Sequence, residues 1–315
     1  MLELLLDRFR NHDRNALSRL VSLVARGEQA DEILAKVGPA ARPARVVALT
    51  GSGGVGKSTL TGKLIEQIRE HGQTVAVLAC DPQSPLTGGA LLGDRFRMPS
   101  RPNDDGVFIR SLAAAGGRGA LAAHMDDLIR LLEAYGFEVV LIETVGAGQG
   151  DTAVRELVDA LVVLLQPETG DDLQWEKAGL LEVADVIVIQ KADLPGAERV
   201  EAQVLSTLAL SMAPAPPVLR VSARSGLGLA ELWSTIAALP LRRGSKKTDE
   251  DLLRFAQALL AARFAAARRD PQSDVGQLLD RWHRGEVDSP RAAQELLKRF
   301  MGQLEGQSHS RSKPD

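Results

Sequence analysis

Residues 51–58 spell GSGGVGKS and complete the pattern G-x-x-x-x-G-K-[ST]. The apolar run Val46–Leu49 precedes this motif, and a segment with helical periodicity follows it from Lys57 to about Arg69. In this context the glycines let several backbone N–H groups point at one anion, and the helix N-terminus adds partial positive charge. A plain glycine-rich turn before a core helix would not require a Lys-Ser pair at this offset. The motif therefore predicts an α/β domain with a nucleotide-phosphate site.

The loop motif gives its last two residues distinct chemical roles. We expect the Lys57 ammonium to reach the β and γ phosphates and the Ser58 hydroxyl to coordinate Mg²⁺. Position 52 is serine, so the chain does not match the deviant loop of MinD-like ATPases, which carries an additional signature lysine. The predicted phosphate-binding residues are Gly51, Ser52, Gly53, Gly54, Val55, Gly56, Lys57, Ser58 and Thr59.

The composition is typical of a cytoplasmic enzyme with a substantial core, since 44% of the 315 residues are hydrophobic and 25% are charged. A net charge of −3 and 3% aromatic residues argue against a nucleic-acid partner. The apolar stretch in Met1–Asp7 is short and broken by charges, so we expect neither a signal peptide nor a membrane span. Cys80 is the only cysteine, which excludes an intrachain disulfide and a thiolate-rich metal site, and we expect it to be a buried structural thiol.

Seven short apolar runs alternate with helical segments between residues 45 and 239. Runs that are apolar throughout suit strands covered on both faces, so we predict a mainly parallel central sheet flanked by helices. The predicted strands are Val46–Leu49, Val75–Cys80, Val107–Ile109, Val139–Ile142, Leu161–Leu165, Val186–Ile189 and Val218–Val221.

Both ends of the chain have helical patterns. Apolar residues recur at helical spacing as far as Val37, before Gly38-Pro39 breaks the pattern. After a linker at 241–247, an apolar stripe over residues 252–264 predicts one amphipathic helix, and the clusters around Trp282 and Phe300 predict two shorter ones. The predicted organisation is a helical extension (1–43), a nucleotide domain (44–240), a C-terminal helical region (241–305) and a disordered polar tail (306–315).

Acidic residues at strand ends are candidates for the metal and the attacking water. Glu143 follows the run Val139–Ile142, where a carboxylate can hold Mg²⁺ through water or orient the nucleophile, and Gly146 can offer its N–H to the γ phosphate. Asp81 follows the run Val75–Cys80, which we expect to neighbour the strand of the phosphate loop, so that Asp81 reaches the outer shell of the metal. A merely solvated strand-end carboxylate is the alternative for Glu143.

The segment after Asp81 holds further charged candidates. Asp94 is placed to approach and leave the metal with nucleotide state. Arg95 and Arg97 are either charge stabilisers for phosphoryl transfer or ordinary surface residues.

The segment Gln190-Lys-Ala-Asp193 resembles the guanine signature Asn-Lys-x-Asp. In that signature the Asp, here Asp193, accepts hydrogen bonds from guanine N1 and N2, and the stem of the Lys, here Lys191, covers the base. Gln190 stands where the signature has Asn, whose amide tethers this loop to the phosphate loop. The sequence leaves open whether Gln190 forms the same tether and how it changes nucleotide affinity. The pair Ser222-Ala223 resembles the element whose backbone N–H contacts guanine O6. Together the two segments predict GTP and GDP rather than ATP as ligands.

With these motifs the chain resembles the MeaB/ArgK family of methylmalonyl-CoA mutase-associated GTPases (MMAA-like), within the SIMIBI class of P-loop GTPases. The resemblance is carried by residues 51–58, 81–98, 143–149 and 167–177 and extends loosely over the helical ends. It implies a GTPase that gates delivery of adenosylcobalamin from an adenosyltransferase to an acyl-CoA mutase and helps to remove damaged cofactor. It also implies that the C-terminal helices form a homodimerisation arm.

The same resemblance implies site residues. Lys57, Ser58, Asp81, Asp94 and Glu143 would form the phosphate and Mg²⁺ site. Residues 166–177 would be a third switch, with Gln174 and Lys177 facing the nucleotide when the partner is bound and Lys177 supplying positive charge to the transition state. A solvated helix residue is the alternative for Lys177. This loop departs from the small residues expected in the family, because Glu168, Trp175 and Glu176 are bulkier or more acidic. The sequence therefore leaves open which acyl-CoA mutase is the partner.

Three other functions are compatible with a P-loop. A nickel-delivery GTPase would need a Cys/His cluster, which five scattered histidines and one cysteine do not suggest. A small-molecule kinase would need an acceptor pocket, and no motif marks one. A non-catalytic nucleotide-dependent scaffold would bind GTP without needing Glu143, Asp94 or Lys177 for turnover.

Overall fold

The computed structural model describes residues 2–81, 104–113, 124–144, 151–167, 178–210, 214–243 and 274–308. The chain divides into two compact units, residues 1–245 and 246–315. In the first unit the strands are β1 (Arg45–Gly51), β2 (Val75–Asp81), β3 (Val107–Ala113), β4 (Val139–Glu143), β5 (Ala160–Leu165), β6 (Val186–Gln190) and β7 (Val218–Val221). Its helices are α1 (Leu2–Arg10), α2 (Arg14–Ala25), α3 (Ala30–Val37), α4 (Lys57–Glu70), α5 (Met125–Tyr135), α6 (Asp151–Leu157), α7 (Ala178–Val183), α8 (Ala197–Leu208) and α9 (Leu229–Ala238).

The seven predicted strands are confirmed and form one parallel sheet in the order β3-β2-β4-β1-β5-β6-β7. The side chains of the five inner strands are buried on both faces, as their uninterrupted apolar runs require, whereas the edge strands β3 and β7 are partly exposed. Val47 and Leu49 of β1 pack in the cluster with α4 and α9, whereas Val46 and Ala48 pack in the cluster on the opposite face with α2 and α5. The sheet is thus the middle layer of three.

One expectation about strand neighbours was wrong. β2 does not pair with β1, because β4 lies between them and pairs with both. A local apolar run specifies a strand but not its neighbours, which are chosen by how the crossover helices pack on the two faces. Insertion of β4 places Glu143, rather than Asp81, on the strand next to the phosphate loop.

The N-terminal helical prediction is confirmed by α1, α2 and α3, which pack in the same core as α5. Asp13 caps α2 by accepting hydrogen bonds from the backbone N–H groups of Asn15 and Ala16. The Tyr135 hydroxyl at the end of α5 donates to His12 O, which ties the turn between α1 and α2 to α5.

The second unit contains α10 (Asp274–His283) and α11 (Ser289–Ser308), which match the two shorter C-terminal helices expected from the sequence. The last helix extends to Ser308, past the predicted start of the tail at Gly306, because side-chain patterns locate helix ends only to within a residue or two. The predicted stripe at 252–264 and residues 309–315 lie outside the described residues. No helix in the described part of the chain combines the length and hydropathy needed to cross a bilayer.

A buried carboxylate fastens the end of the first unit to the sheet. Asp159, 2% exposed, accepts hydrogen bonds from Val46 N at 2.9 Å and from Arg243 N at 2.8 Å. Beside it, Asp185 accepts two hydrogen bonds from the Arg242 guanidinium and one from Leu161 N. The chain therefore leaves the first unit along the edge at which the strands begin, opposite the edge that carries the phosphate loop.

Replacing Asp159 by alanine is expected to lower the free energy of unfolding by about 2–4 kcal/mol, because two backbone N–H groups lose a charged acceptor in a buried site. Urea denaturation measures the change. Asp126→Ala is the matched control, because that carboxylate is exposed and lies 4.0 Å from Arg243, and it should change stability by less than about 0.5 kcal/mol. Equal effects of the two substitutions would show that the buried hydrogen bonds contribute little.

Candidate nucleotide site

The phosphate loop connects β1 to α4 at the edge of the sheet where the strands end. Gly56 has φ of 101° and precedes the first helical residue, Lys57, so the start of α4 faces the loop. Gly51 has φ of 155°, and a Cβ there would lie 2.6 Å from Leu164 O of β5. A side chain at position 51 would therefore push the loop away from the sheet. The loop and the first turn of α4 thus form the anion-binding helix N-terminus that the motif predicts.

The Lys57 side chain folds back over the loop. Its Nζ atom donates hydrogen bonds to Gly51 O at 2.9 Å and Ser52 O at 3.2 Å. These carbonyl groups hold an ammonium on the concave side of the loop, where an ammonium can reach phosphate oxygens. Thr59 is exposed on the first turn of α4 and Val55 is buried beneath the loop.

The Glu143 carboxylate lies next to Ser58 on the face of the sheet that α4 covers, and Asp81 lies one strand further along on the same face. The Ser58 hydroxyl donates to Glu143 Oε1 at 2.6 Å, and Glu143 is 3% exposed. Asp81 is 1% exposed and shares the face of Glu143, because Ala79 pairs in register with Glu143 and alternate residues of a strand share a face. Carboxylate and hydroxyl oxygens are the ligands that a hard cation such as Mg²⁺ takes. The donor set of Ser58, Glu143 and Asp81 fits Mg²⁺.

The described residues contain no cluster of three or more His, Cys, Asp or Glu side chains arranged to hold a metal by themselves. Mg²⁺ is commonly held by one or two carboxylates together with substrate phosphates and water. The site is therefore of the kind in which the nucleotide completes the coordination.

Sequence reasoning missed two buried threonines at this edge. Thr50 and Thr144 are 0% and 1% exposed, and their neighbouring strands are joined by the Thr144 N–H, which donates to Leu49 O at 3.1 Å. Neither hydroxyl forms a hydrogen bond with any residue that the structure describes. Buried polar groups are usually hydrogen-bonded, so these two hydroxyls are candidates for contact with a polar ligand at this edge of the sheet. Their position directly after or at the end of an apolar run is the signal from which they were predictable.

The predicted base-recognition residues come together on the loops after β6 and β7. The Ala192 N–H donates to Val221 O at 3.1 Å, and the Ser222 hydroxyl donates to the Asp193 carboxylate. That hydrogen bond, one from the Asp193 backbone and the nearby Arg224 guanidinium hold the pKa of the Asp193 carboxyl below its usual range. Asp193 itself is exposed, so a charged acceptor faces solvent where a guanine edge can reach it.

Lys191 has φ of 59°, a left-handed conformation that turns the chain from β6 into this loop. Ser222 is fully buried and Ala223 is 5% exposed. The Ser225 N–H donates to the Ser222 side chain, so Ser222 holds both Asp193 and its own loop. The Ser222 side chain therefore supports Asp193, while the contact of a backbone N–H of Ser222-Ala223 with guanine O6 stays a prediction.

Gln190 contacts the phosphate loop by packing. A Cβ at Gly56 would lie 3.3 Å from Gln190 Nε2, so the amide of Gln190 rests against the loop backbone. Gln190 is 2% exposed, and its Oε1 atom accepts no hydrogen bond from any described residue. The longer side chain thus keeps the proximity expected of a tether between the two loops.

Gln190→Ala is expected to weaken GTP binding by up to about tenfold, because the phosphate loop loses the side chain that packs against it. Isothermal titration calorimetry measures the affinity. Gln203→Ala on α8 is the control, since Gln203 does not contact the loop, and its affinity should match that of the unmodified protein. Unchanged binding by Gln190→Ala would show that the two loops hold their positions independently.

The remaining predicted site residues lie outside the described part of the chain. They are Asp94, Arg95, Arg97, Gly146, Gln174 and Lys177.

Comparisons with known proteins agree with this geometry. A family model described as methylmalonyl-CoA mutase-associated GTPase MeaB matches residues 17–251. A protein of Pyrococcus abyssi that is named a GTPase is 37% identical over 318 residues, which cover 96% of this chain and 98% of the relative. A fused isobutyryl-CoA mutase of Geobacillus kaustophilus is 38% identical over 210 residues, or 63% of this chain and 19% of that protein.

A solved structure of a LAO/AO transport system kinase has the same fold, with a TM-score of 0.68 over 95% of this chain and 97% of the other. Its sequence identity of 24% extends the similarity to the fold alone. The match of the family model over most of the chain, together with the P-loop site, shows an enzyme that hydrolyses GTP. This chain belongs to the MeaB family of methylmalonyl-CoA mutase-associated GTPases.

Proposed function

We propose that this GTPase acts on an adenosylcobalamin-dependent acyl-CoA mutase, gating cofactor delivery to it and helping to protect or reactivate it. The observation that carries the proposal is the match to a fused isobutyryl-CoA mutase, in which a region similar to this chain belongs to a protein named as a mutase. The family description, which associates such GTPases with methylmalonyl-CoA mutase, supports the same client class. A cobalamin adenosyltransferase is the proposed source of the cofactor.

The proposed nucleotide chemistry rests on four side chains of the described residues. Lys57, held over the loop by carbonyl groups, binds the β and γ phosphates once they enter. Ser58 and Glu143, which are joined by a hydrogen bond of 2.6 Å, would hold Mg²⁺ together with Asp81. Mg²⁺ would neutralise charge on the phosphate oxygens during transfer to water. Glu143 also orients the attacking water.

The residues outside the described chain complete the proposal. Asp94 joins the metal site in one nucleotide state, while Gln174 and Lys177 face the nucleotide when the mutase is bound. A lysine that is supplied only in the complex would make hydrolysis report on partner binding. GTP turnover with and without mutase tests this step in Lys177→Ala, which should keep the basal rate and lose the stimulation.

We propose a cytoplasmic homodimer joined through the C-terminal helices. Trp282 of α10 and Leu297 of α11 are 41% and 49% exposed, and large apolar side chains of this kind are common in subunit interfaces. Size-exclusion chromatography with light scattering tests the dimer, and a particle of 33.7 kDa at micromolar concentration would exclude it.

The chaperone role is tested by reconstitution. Purified apo-mutase is mixed with adenosylcobalamin-loaded adenosyltransferase and this GTPase, and transfer is followed by the change in cobalamin absorbance. Transfer should depend on whether GTP, GDP or a non-hydrolysable GTP analogue is present. Identical transfer in all three states, or no complex with any cobalamin mutase, would overturn the proposal. Phosphate release without a phosphorylated acceptor separates hydrolysis from kinase activity in the same samples.

A further inference from the structure

A concave groove lies on the outer side of α1 and α2, among the helices that precede the nucleotide domain. It has a volume of about 290 Å³ and is lined by Leu4, Leu5, Arg8, Arg19, Ser22, Leu23 and Arg26. Leu4 is 68% exposed, a large fraction for leucine on a helix that otherwise buries Leu6 and Phe9. The groove thus combines an apolar wall with polar residues, and none of its lining residues belongs to the nucleotide site.

The charge of the groove has one sign. Three of its lining residues are arginines and none is acidic. Arg8 and Arg26 form ion pairs with the half-buried Asp13 and the exposed Glu28, and ion pairs near the surface contribute little free energy. Arg19 forms no ion pair or side-chain hydrogen bond with any residue in the described ranges. Arg19 is therefore the lining charge that these ion pairs leave uncompensated, and it suits a negatively charged group of a ligand.

The floor of the groove is held to the sheet. The Arg110 guanidinium of β3 donates to the Ser22 hydroxyl at 2.6 Å. On the same helix, Arg14 donates to Asp104 O and Val107 O, at the start of β3. The groove is therefore a preorganised part of the folded domain, which lowers the ordering cost of binding.

We propose that this groove binds an acidic amphipathic helix of a partner protein, with leucine-type side chains entering between Leu4, Leu5 and Leu23 and carboxylates pairing with Arg8, Arg19 and Arg26. A helix in a groove presents apolar anchors at i, i+3, i+4 and i+7 and places its charges along the rim, which matches this arrangement. A concave site favours an inserted helix over a membrane, since membrane-bound helices present a convex apolar face to lipid. The proposal does not depend on the identity of the client mutase.

The test uses the full chain and a fluorescein-labelled peptide of repeating Glu-Glu-Leu-Leu, with fluorescence anisotropy as the readout. The peptide should bind the unmodified protein, and Arg19→Glu should weaken that binding at least about tenfold, because one attraction becomes a repulsion. Arg130→Glu is the matched control: Arg130 is exposed on α5 and does not line the groove, so peptide affinity should be unchanged. Leu4→Asp should also abolish binding, and thermal unfolding by circular dichroism confirms that each variant is folded.

The proposal would be overturned by the absence of peptide binding below about 1 mM, by equal peptide binding in Arg19→Glu and Arg130→Glu, or by equal binding of a Lys-Lys-Leu-Leu peptide. A change of oligomeric mass in Leu4→Asp, measured by light scattering, would assign the groove to a second copy of the chain. Sedimentation of the protein with phosphatidylserine vesicles that is lost in Arg19→Glu would assign the groove to a lipid surface instead. GTP turnover, measured in parallel, should be normal in Arg19→Glu, so failure here is separable from failure of the proposed chaperone function.

Discussion

Replacing Lys57 by alanine is expected to lower kcat/KM for GTP hydrolysis about 10²–10³-fold, because the charge that binds the β and γ phosphates and stabilises their transition state is lost. Lys57 is already held over the loop by Gly51 O and Ser52 O, so the ammonium does not have to be ordered when nucleotide binds. Phosphate release under steady-state conditions measures the effect.

Lys63→Ala is the matched control for this prediction. Lys63 lies on the same helix and forms a half-buried ion pair with Glu66 at 2.9 Å rather than contacts to the phosphate loop, so its loss should change turnover by less than about twofold. If Lys57→Ala kept its activity within tenfold of the unmodified protein, the loop could not be the site of phosphate transfer.

Asp193→Ala is expected to weaken GTP and GDP binding about 10²-fold or more, since guanine N1 and N2 lose a charged acceptor. ATP affinity should change little, so selectivity between the two nucleotides should collapse. Competition of ATP and GTP for a fluorescent nucleotide measures both affinities. Asp105→Ala, whose carboxylate is 98% exposed, is the control and should retain full selectivity.

The low pKa of the Asp193 carboxyl adds a pH dependence to this prediction. The Ser222 hydroxyl and Arg224 favour the ionised form, so the carboxylate is fully charged at neutral pH. The ratio of GTP to ATP affinity, in which the ionisation of the phosphates cancels, should therefore be constant between about pH 6 and 8 and should fall only as the solution is acidified through that lowered pKa. A change of this ratio in the neutral range would point to another group as the base contact.

Local patterns were sufficient for much of the fold. The five inner strands were visible as continuous apolar runs, because a parallel strand buried on both faces leaves no polar position in its middle. The phosphate loop was equally visible, since glycines and a Lys-Ser pair are needed at fixed offsets whatever surrounds them. The ends of helices were predicted less accurately, since the last helix extends to Ser308, past the predicted start of the tail at Gly306.

Contacts between distant segments were not predictable from such patterns. Asp159 bonds Val46 N and Arg243 N, which are 113 and 84 residues away, and nothing in the local sequence marks it. The effect of Gln190 depended on the separation of two loops, which only the folded chain defines. The groove between α1 and α2 depends on how those helices pack and on which leucine stays exposed.

The amino-acid sequence by itself determined that the chain forms a parallel α/β domain with a phosphate loop and a guanine-recognition segment, because periodicity and fixed spacing are local properties. Only the tertiary structure decided that β4 lies between β1 and β2, which places Glu143 against Ser58 and Asp81 one strand further away. The physical reason is that strand order follows from the burial of both sheet faces by helices throughout the domain. No single run of residues encodes that arrangement.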